Sequence, residues 1–525
     1  MEEAKKSTPK GLIAIIIAAV VVIGGGAAAL MLVNVGEKEK YFLAEKNTVE
    51  FMVESFENRY EPEMNWLEHT EENVTESTVE VSAEYNDPAS QPGTMGMDPS
   101  QLINNSTLTI KGATDMENQE MTAEILANIA GMEIDGIEFY LTSDRILFGL
   151  PFLEEAMQLM DEDFGPLMHE FDPENFTGEE TLGLESIFDG TGGFLSEEDL
   201  EHFKVEYFEM VYDELPDSAF SSEEEATQIL GESVDTEKIT LHLKEDEIKN
   251  IFSQILAKMQ EDERLKEILR DHFNSQLFAA DPMMEQQIDM IMEEFNSGLA
   301  DAEADVEELY IPDGLTSTLW LENDLVKKRD FEFAIGTSED DLVGLHVAGE
   351  QLLDTASQSL DYNFSFSDPI DEGTMNLSGE FTSEDDQIED TVTLNIADTV
   401  LLNYNGSETL EEDTRNFERT FSIEDEFGPG GSIIWSGAST YDNDQMNSEH
   451  NVSFDSPEID QDMFALFLTI DSQTIDSIEI PAADDARDLG SMNAGELTNY
   501  FEMEVAPQFQ QWLFGIMAGS GDFGL

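Results

Sequence analysis

The chain has 525 residues, with 117 acids against 23 bases and no cysteine, for a formal net charge of −94. Such a balance excludes nucleic-acid binding, which needs clustered Lys and Arg against phosphates. The missing cysteine excludes disulfides, thiol catalysis and thiolate metal sites together.

Hydrophobic residues still make up 40% of the chain and include 33 Phe. That is more apolar material than a disordered polyanion carries. Folded, acid-coated domains are expected, of a kind suited to a salty exterior where charges are screened.

The run from Gly11 to Gly36 is uncharged and lies between Lys10 and Glu37. As a helix rising about 1.5 Å per residue it exceeds the roughly 30 Å hydrocarbon core of a bilayer. Leu30, Met31, Leu32 and Val33 carry the apolar run past Ala27 to Ala29, the pattern of an anchor rather than of a cleaved signal. Lys5, Lys6 and Lys10 precede the span and Lys38 and Lys40 follow it, which favours an inside N-terminus. The expected order is a cytoplasmic tail at 1–10, a transmembrane anchor at 11–36 and an extracytoplasmic remainder. The chain is then a single-pass protein of the cell membrane, with membrane lipid as its partner through the anchor.

Beyond the span, Phe42, Val49, Met52, Val53, Phe56 and Tyr60 recur at helical spacing up to Pro62, predicting an amphipathic helix. The period then changes to two. Val79, Val81, Ala83 and Tyr85 alternate with polar residues, and Leu108 to Ile110, Met121 to Ala127, Ile137 to Leu141 and Ile146 to Phe148 continue an antiparallel meander up to Pro151. Residues 151–310 read as mostly helical, with a short strand at Ile239 to Leu243. Ile248, Ile251, Phe252, Ile255, Leu256 and Met259 form the clearest helical stripe, after three acids in its first turn.

From Thr316 to Pro481 the pattern is nearly all β, with a turn at Asn323-Asp324 and strands through Phe331, Val347, Phe364, Leu377, Leu394, Tyr404, Phe421, Ile433, Phe454, Leu468 and Ile478. A Met/Phe-rich helix interrupted at Pro507 closes the chain.

No catalytic constellation is present at recognisable spacing. The seven histidines (His69, His169, His202, His242, His272, His346, His450) lie too far apart for HExxH or any local pair. No nucleophile elbow, P-loop or dinucleotide fingerprint occurs. Acid pairs such as Asp340-Asp341 and Asp385-Asp386 are too common to mark acid–base work, and Asp442-Asn443-Asp444 lacks the Gly and Glu of a calcium loop. No catalytic, cofactor-binding or metal-ligating residue is assigned, and no cofactor is expected.

The segment Tyr41 to Thr48, following the span, resembles the start of a family of uncharacterised, membrane-anchored proteins of Gram-positive bacilli. The block Asp313 to Leu321 and the stretch Phe501 to Trp512 are similar as well. That family is known as a domain of unknown function, so the resemblance implies a location rather than an activity. The strand pairs around Trp320 and Phe331 are also similar to those of lipoprotein carriers built as an open half-barrel.

The expected fold class is α+β: a transmembrane helix, then an ectodomain of large curved antiparallel sheets packed with helices, divided into an α+β region at 37–310 and a β-rich region with a C-terminal helix at 311–525. The expected function is non-catalytic binding at the cell envelope, with envelope proteins as partners. The alternative is a carrier or sensor holding an apolar, lipid-like ligand between sheet and helices. An envelope-polymer hydrolase is a third reading.

Residues 41–525 hold 113 acids and 18 bases, so self-repulsion opposes the compact state. The Debye length falls from about 30 Å at 0.01 M salt to about 3 Å at 1 M. The region from Lys40 onward is expected to melt at steeply higher temperature as NaCl rises from dilute to molar. A flat midpoint across the salt series would show that the acids are locally paired instead.

Overall fold

The computed structural model describes residues 36–86, 99–173, 176–188, 196–276, 282–384, 386–397, 399–411, 413–425, 428, 430–482 and 485–519. Twenty strands form a single sheet. They are β1 (Thr75–Tyr85), β2 (Thr107–Asp115), β3 (Glu120–Ile129), β4 (Met132–Thr142), β5 (Arg145–Gly149), β6 (Ala156–Met160), β7 (Phe220–Ile229) and β8 (Glu232–Leu243). A second run follows: β9 (Leu315–Glu322), β10 (Leu325–Ile335), β11 (Val343–Leu353), β12 (Ser357–Ser367), β13 (Glu372–Glu384) and β14 (Gln387–Ile396). It ends with β15 (Val400–Glu411), β16 (Thr414–Asp425), β17 (Gly431–Asp442), β18 (Gln445–Asp455), β19 (Phe464–Thr474) and β20 (Ala486–Asp488).

Strands β7 to β19 are neighbours in chain order, each antiparallel to the next. β1 then lies between β19 and β2, and the meander continues through β6. β20 adds in parallel to β6. Pairing therefore runs unbroken through β8 and β9 and through β19 and β1.

Short turns hold this register. Asn323 and Asp324, with φ of 53° and 60°, join β9 to β10, and Leu230 and Gly231, with φ of 47° and 88°, join β7 to β8. Positive φ at both central residues is the twist that a two-residue hairpin needs.

The alternation of the strands gives the sheet two unlike faces. On one, cross-strand rows such as Leu377, Leu394, Leu402 and Ile423, or Tyr404, Phe421, Ile433 and Phe454, are apolar. On the other, Ser378, Thr393, Asn403, Ser422 and Ser432 run in register.

Helices cover the apolar face at one end. Helix α1 (Glu37–Arg59) brings in Tyr41 and Phe42, and α3 (Glu245–Glu261), which follows α2 (Glu61–Glu72), brings in Ile248, Ile251 and Phe252. These close a core with Ile239, Leu241, Leu315 and Leu319 from β8 and β9. Within that core Tyr41 Oη and Ser317 Oγ lie 2.6 Å apart and share a hydrogen bond. A smaller core joins Met157 of β6 to Leu167, Leu489, Leu497 and Tyr500.

The expected α+β fold of a single-pass, cell-membrane protein is corrected by these findings. The described chain is mostly one sheet, because period-two stretches extend well beyond those the sequence showed. Among the described residues no helix is long and apolar enough to cross a membrane. The proposed span and the tail before it lie outside the described residues, apart from Gly36, whose N–H donates to Glu39 Oε2 at the start of α1.

Within 151–310, β6, β7 and most of β8 replace expected helix. β7 buries only its two ends, Phe220 and Ile229, so it lacks the alternation by which a strand is recognised. The stretch around Ile478 is not a strand. At the C-terminus helical residues run without a break from Ala494 to Gly519, and the irregularity expected near Pro507 is a π-helical turn at Phe501–Val505 just before it, where a residue without an N–H removes a regular helical hydrogen bond.

Glycines on the apolar face leave room for aromatic rings. A Cβ on Gly437 would run into the Glu449 carbonyl oxygen and lie 2.8 Å from the Phe417 ring, whereas one on Gly373 would meet nothing within 4 Å. Gly437→Ala is expected to cost about 1–3 kcal/mol by overpacking and Gly373→Ala close to nothing. Urea melts of the two variants check this; equal losses would contradict it.

Candidate functional site

Helices α1 and α2 form a strap across the apolar face. α1 packs on β7 and β10, and α2 packs on β17. Polar contacts mark the crossing in order. Glu45 pairs with Arg329 of β10 at 2.7 Å, Arg59 with Asp390 of β14 at 2.5 Å, and Glu63 with Arg415 of β16 at 2.5 Å. His69 Nε2 then meets Thr474 Oγ1 of β19 at 2.7 Å. Four of the eight arginines in the chain are spent here, since Arg419 completes the group.

The centre of this ladder is fully enclosed. The Glu408 side chain has 0% exposure and that of Arg415 2%. Glu408 accepts from Arg415 Nη1 at 2.8 Å and from Arg419 Nε at 2.8 Å. Arg415 also donates through Nη2 to the Arg59 carbonyl at 2.7 Å and stacks 4.8 Å from the Tyr60 ring centre. Planar guanidinium groups suit such forked pairing, which an ammonium cannot match. Burial pushes the Asp390 carboxyl up, against the opposing pull of Arg59.

The strap turns one side to the sheet and leaves its flank in solvent: Tyr41, Ala44 and Thr48 are buried, and Phe51 and Ser55 are half-buried further along. Val49, Met52 and Phe56 follow Glu45 at helical spacing and share its face, yet they are exposed, Phe56 by 56%. The sequence assigned these residues to burial, and the sheet does not supply it.

Beside the ladder the apolar face is open. A groove of about 580 Å³ crosses β14 to β18, lined by Leu394, Leu402, Tyr404, Phe421, Ile433 and Phe454 among others. Five successive strands lining one groove means that the face is concave there. Its side chains meet solvent: Phe421 is 42% exposed and Ile423 45%.

One row along the strands from Phe421 and Ile433, on the same face, stand Arg419 and Trp435. The Arg419 guanidinium lies 4.5 Å from the Phe417 ring centre and 4.9 Å from that of Trp435, a favourable cation–π placement.

A serine and a histidine meet beside Trp435 without forming a catalytic pair. Trp435 Nε1–H donates to His450 Nδ1 at 3.2 Å, and an indole nitrogen only donates. Burial first, and the Arg419 charge second, hold His450 below the usual imidazole range. The neutral ring therefore carries its proton on Nε2, 2.7 Å from Ser448 Oγ. A nitrogen bearing that proton cannot take one from Ser448.

The acid pairs noted in the sequence serve turns. Asp341 accepts from the Thr337 and Ser338 amides, Asp386 adopts a φ of 64°, and Asp442 to Asp444 form the β17–β18 turn. Asp385 lies outside the described residues. Among the described residues, no cluster of three or more metal-binding side chains occurs.

Sequence reasoning missed the ladder, although a signal was present. Arg415, Phe417, Arg419 and Phe421 stand at every second position, which places two charges on the parity of the core.

No family model matches the chain, and no curated protein matches it. Among solved structures, it is similar to OccAB2 of Acinetobacter baumannii, at 6% identity and a TM-score of 0.25, over 77% of this chain and 97% of that one. It is similar to the outer-membrane-expressed OmpT of Vibrio cholerae at 8% identity and a TM-score of 0.19, over 77% and 96%. The third, OccD3 of Pseudomonas aeruginosa, shares 5% identity at a TM-score of 0.23, over 77% and 91%.

Removing Arg415 takes the forked partner from Glu63 and leaves the enclosed Glu408 with Arg419 alone. Arg415→Met is expected to cost about 3–5 kcal/mol, and the triple variant that also carries Glu408→Leu and Arg419→Met to recover much of it. Denaturant titration of both variants decides; a single variant as stable as the parent would contradict the buried ladder.

Proposed function

We propose that this protein is a non-catalytic binder of an apolar, lipid-like ligand, held in the groove across β14 to β18 beside the α1–α2 strap. One observation carries the reading. A concave face of about 580 Å³, within the ~300–1,000 Å³ range of small-molecule sites, is lined by large apolar side chains that solvent reaches. Contiguous exposed apolar surface of this kind marks a binding site on a folded chain.

The ladder suits that task. It fixes the strap to the sheet with charges already paired, so the strap holds its position without filling the groove.

The uncharged dye N-phenyl-1-naphthylamine is expected to bind saturably and to be displaced by a long-chain alcohol. Phe421→Asp is expected to weaken that binding at least about tenfold, from the ~1.5–3 kcal/mol gained on burying an aromatic side chain, with little change in melting temperature. Saturable fluorescence that ignores Phe421→Asp, or none at all, would overturn the proposal.

A further inference from the structure

The groove is built for one sign of headgroup. From Asp330 to Ala486 the only basic residues are Arg415 and Arg419, and both are committed to the ladder. Arg415 is divided between Glu63 and Glu408. Arg419 is bound to Glu408 at 2.6 Å and lies against Phe417 and Trp435. The nearby His450 is tied to Trp435 and Ser448.

The outer end is acidic. Ile459 belongs to the lining and stands between Glu458 and Asp460. Asp425 ends β16 on the apolar face, opposite Val400. An anionic head would find no uncommitted cation nearby and several carboxylates at the mouth.

We infer that the groove takes the single alkyl chain of an amphiphile whose headgroup is cationic or uncharged, with the head at the acidic mouth, and that it turns away anionic lipids. This rests on reading the groove as the ligand site. Like charges set against one another cost binding free energy, and carboxylates at the mouth are near enough to a bound head to escape most of the salt screening that weakens distant charges.

The test uses the whole protein and the displacement of N-phenyl-1-naphthylamine, counting only signal lost in Phe421→Asp. The competitors are an alkylamine, a monoacylglycerol and a fatty acid of equal chain length, each monomeric in solution. The amine and the neutral lipid are expected to displace the dye at low salt, with the fatty acid weaker by about tenfold or more. The variant Asp425→Asn/Glu458→Gln/Asp460→Asn should narrow that gap.

A fatty acid that competes as well as the others would overturn the inference and leave the groove reading standing. So would a gap that the triple variant leaves unchanged, since the selectivity would then come from the overall charge. Failure of all three competitors would remove the groove reading and this inference with it.

Discussion

Among the described residues, a sheet of twenty strands has more apolar face than the helices cover. Strand period two sends every second side chain to the same side, and register passes that side from strand to strand without a break. At β7 to β10 the resulting surface is closed by α1 and α3 into a conventional core. Across β14 to β18 it stays open, and Phe421, Ile433 and Phe454 meet water. Leaving such surface uncovered costs free energy, so its persistence calls for an occupant. A ligand that buries it is the simplest one.

The ionic ladder is the second constraint. The strap is held to the sheet by Tyr41 and Phe42 at one end and by charged pairs along the rest. Charged pairs contribute little net stability when buried, because desolvation offsets attraction, but each is costly to break. They therefore fix where the strap sits more than how tightly the protein folds. The burial of Glu408 between Arg415 and Arg419 places that fixed point beside the groove. In a chain this poor in arginine, spending four on one interface also leaves the groove without a free cation.

Much of the sheet was legible in the sequence, for identifiable reasons. Asn323-Asp324 marked a turn because both residues tolerate positive φ, and Tyr404, Phe421 and Ile433 marked strands by alternation. The α3 stripe from Ile248 to Leu256 was equally plain, and its core positions are buried. What alternation cannot show is whether a face is covered, since the cover comes from far along the chain. Glu63 and Arg415 are 352 residues apart. The placement of β1 between β19 and β2 was hidden for the same reason. β7 was missed because an edge strand studded with Glu223, Glu224 and Glu225 shows no apolar period, and such charges are what keep an edge from pairing with another chain.

The most direct measurement follows Trp435, which stands one row along the strands from the groove residues Phe421 and Ile433. A neutral single-chain lipid carrying a nitroxide near its chain end should quench tryptophan emission saturably, and Trp435→Phe should remove most of that quenching while Trp66, Trp320 and Trp512 still emit. Quenching that survives Trp435→Phe, or that is lost with Trp512→Phe instead, would place the apolar site elsewhere and contradict the account.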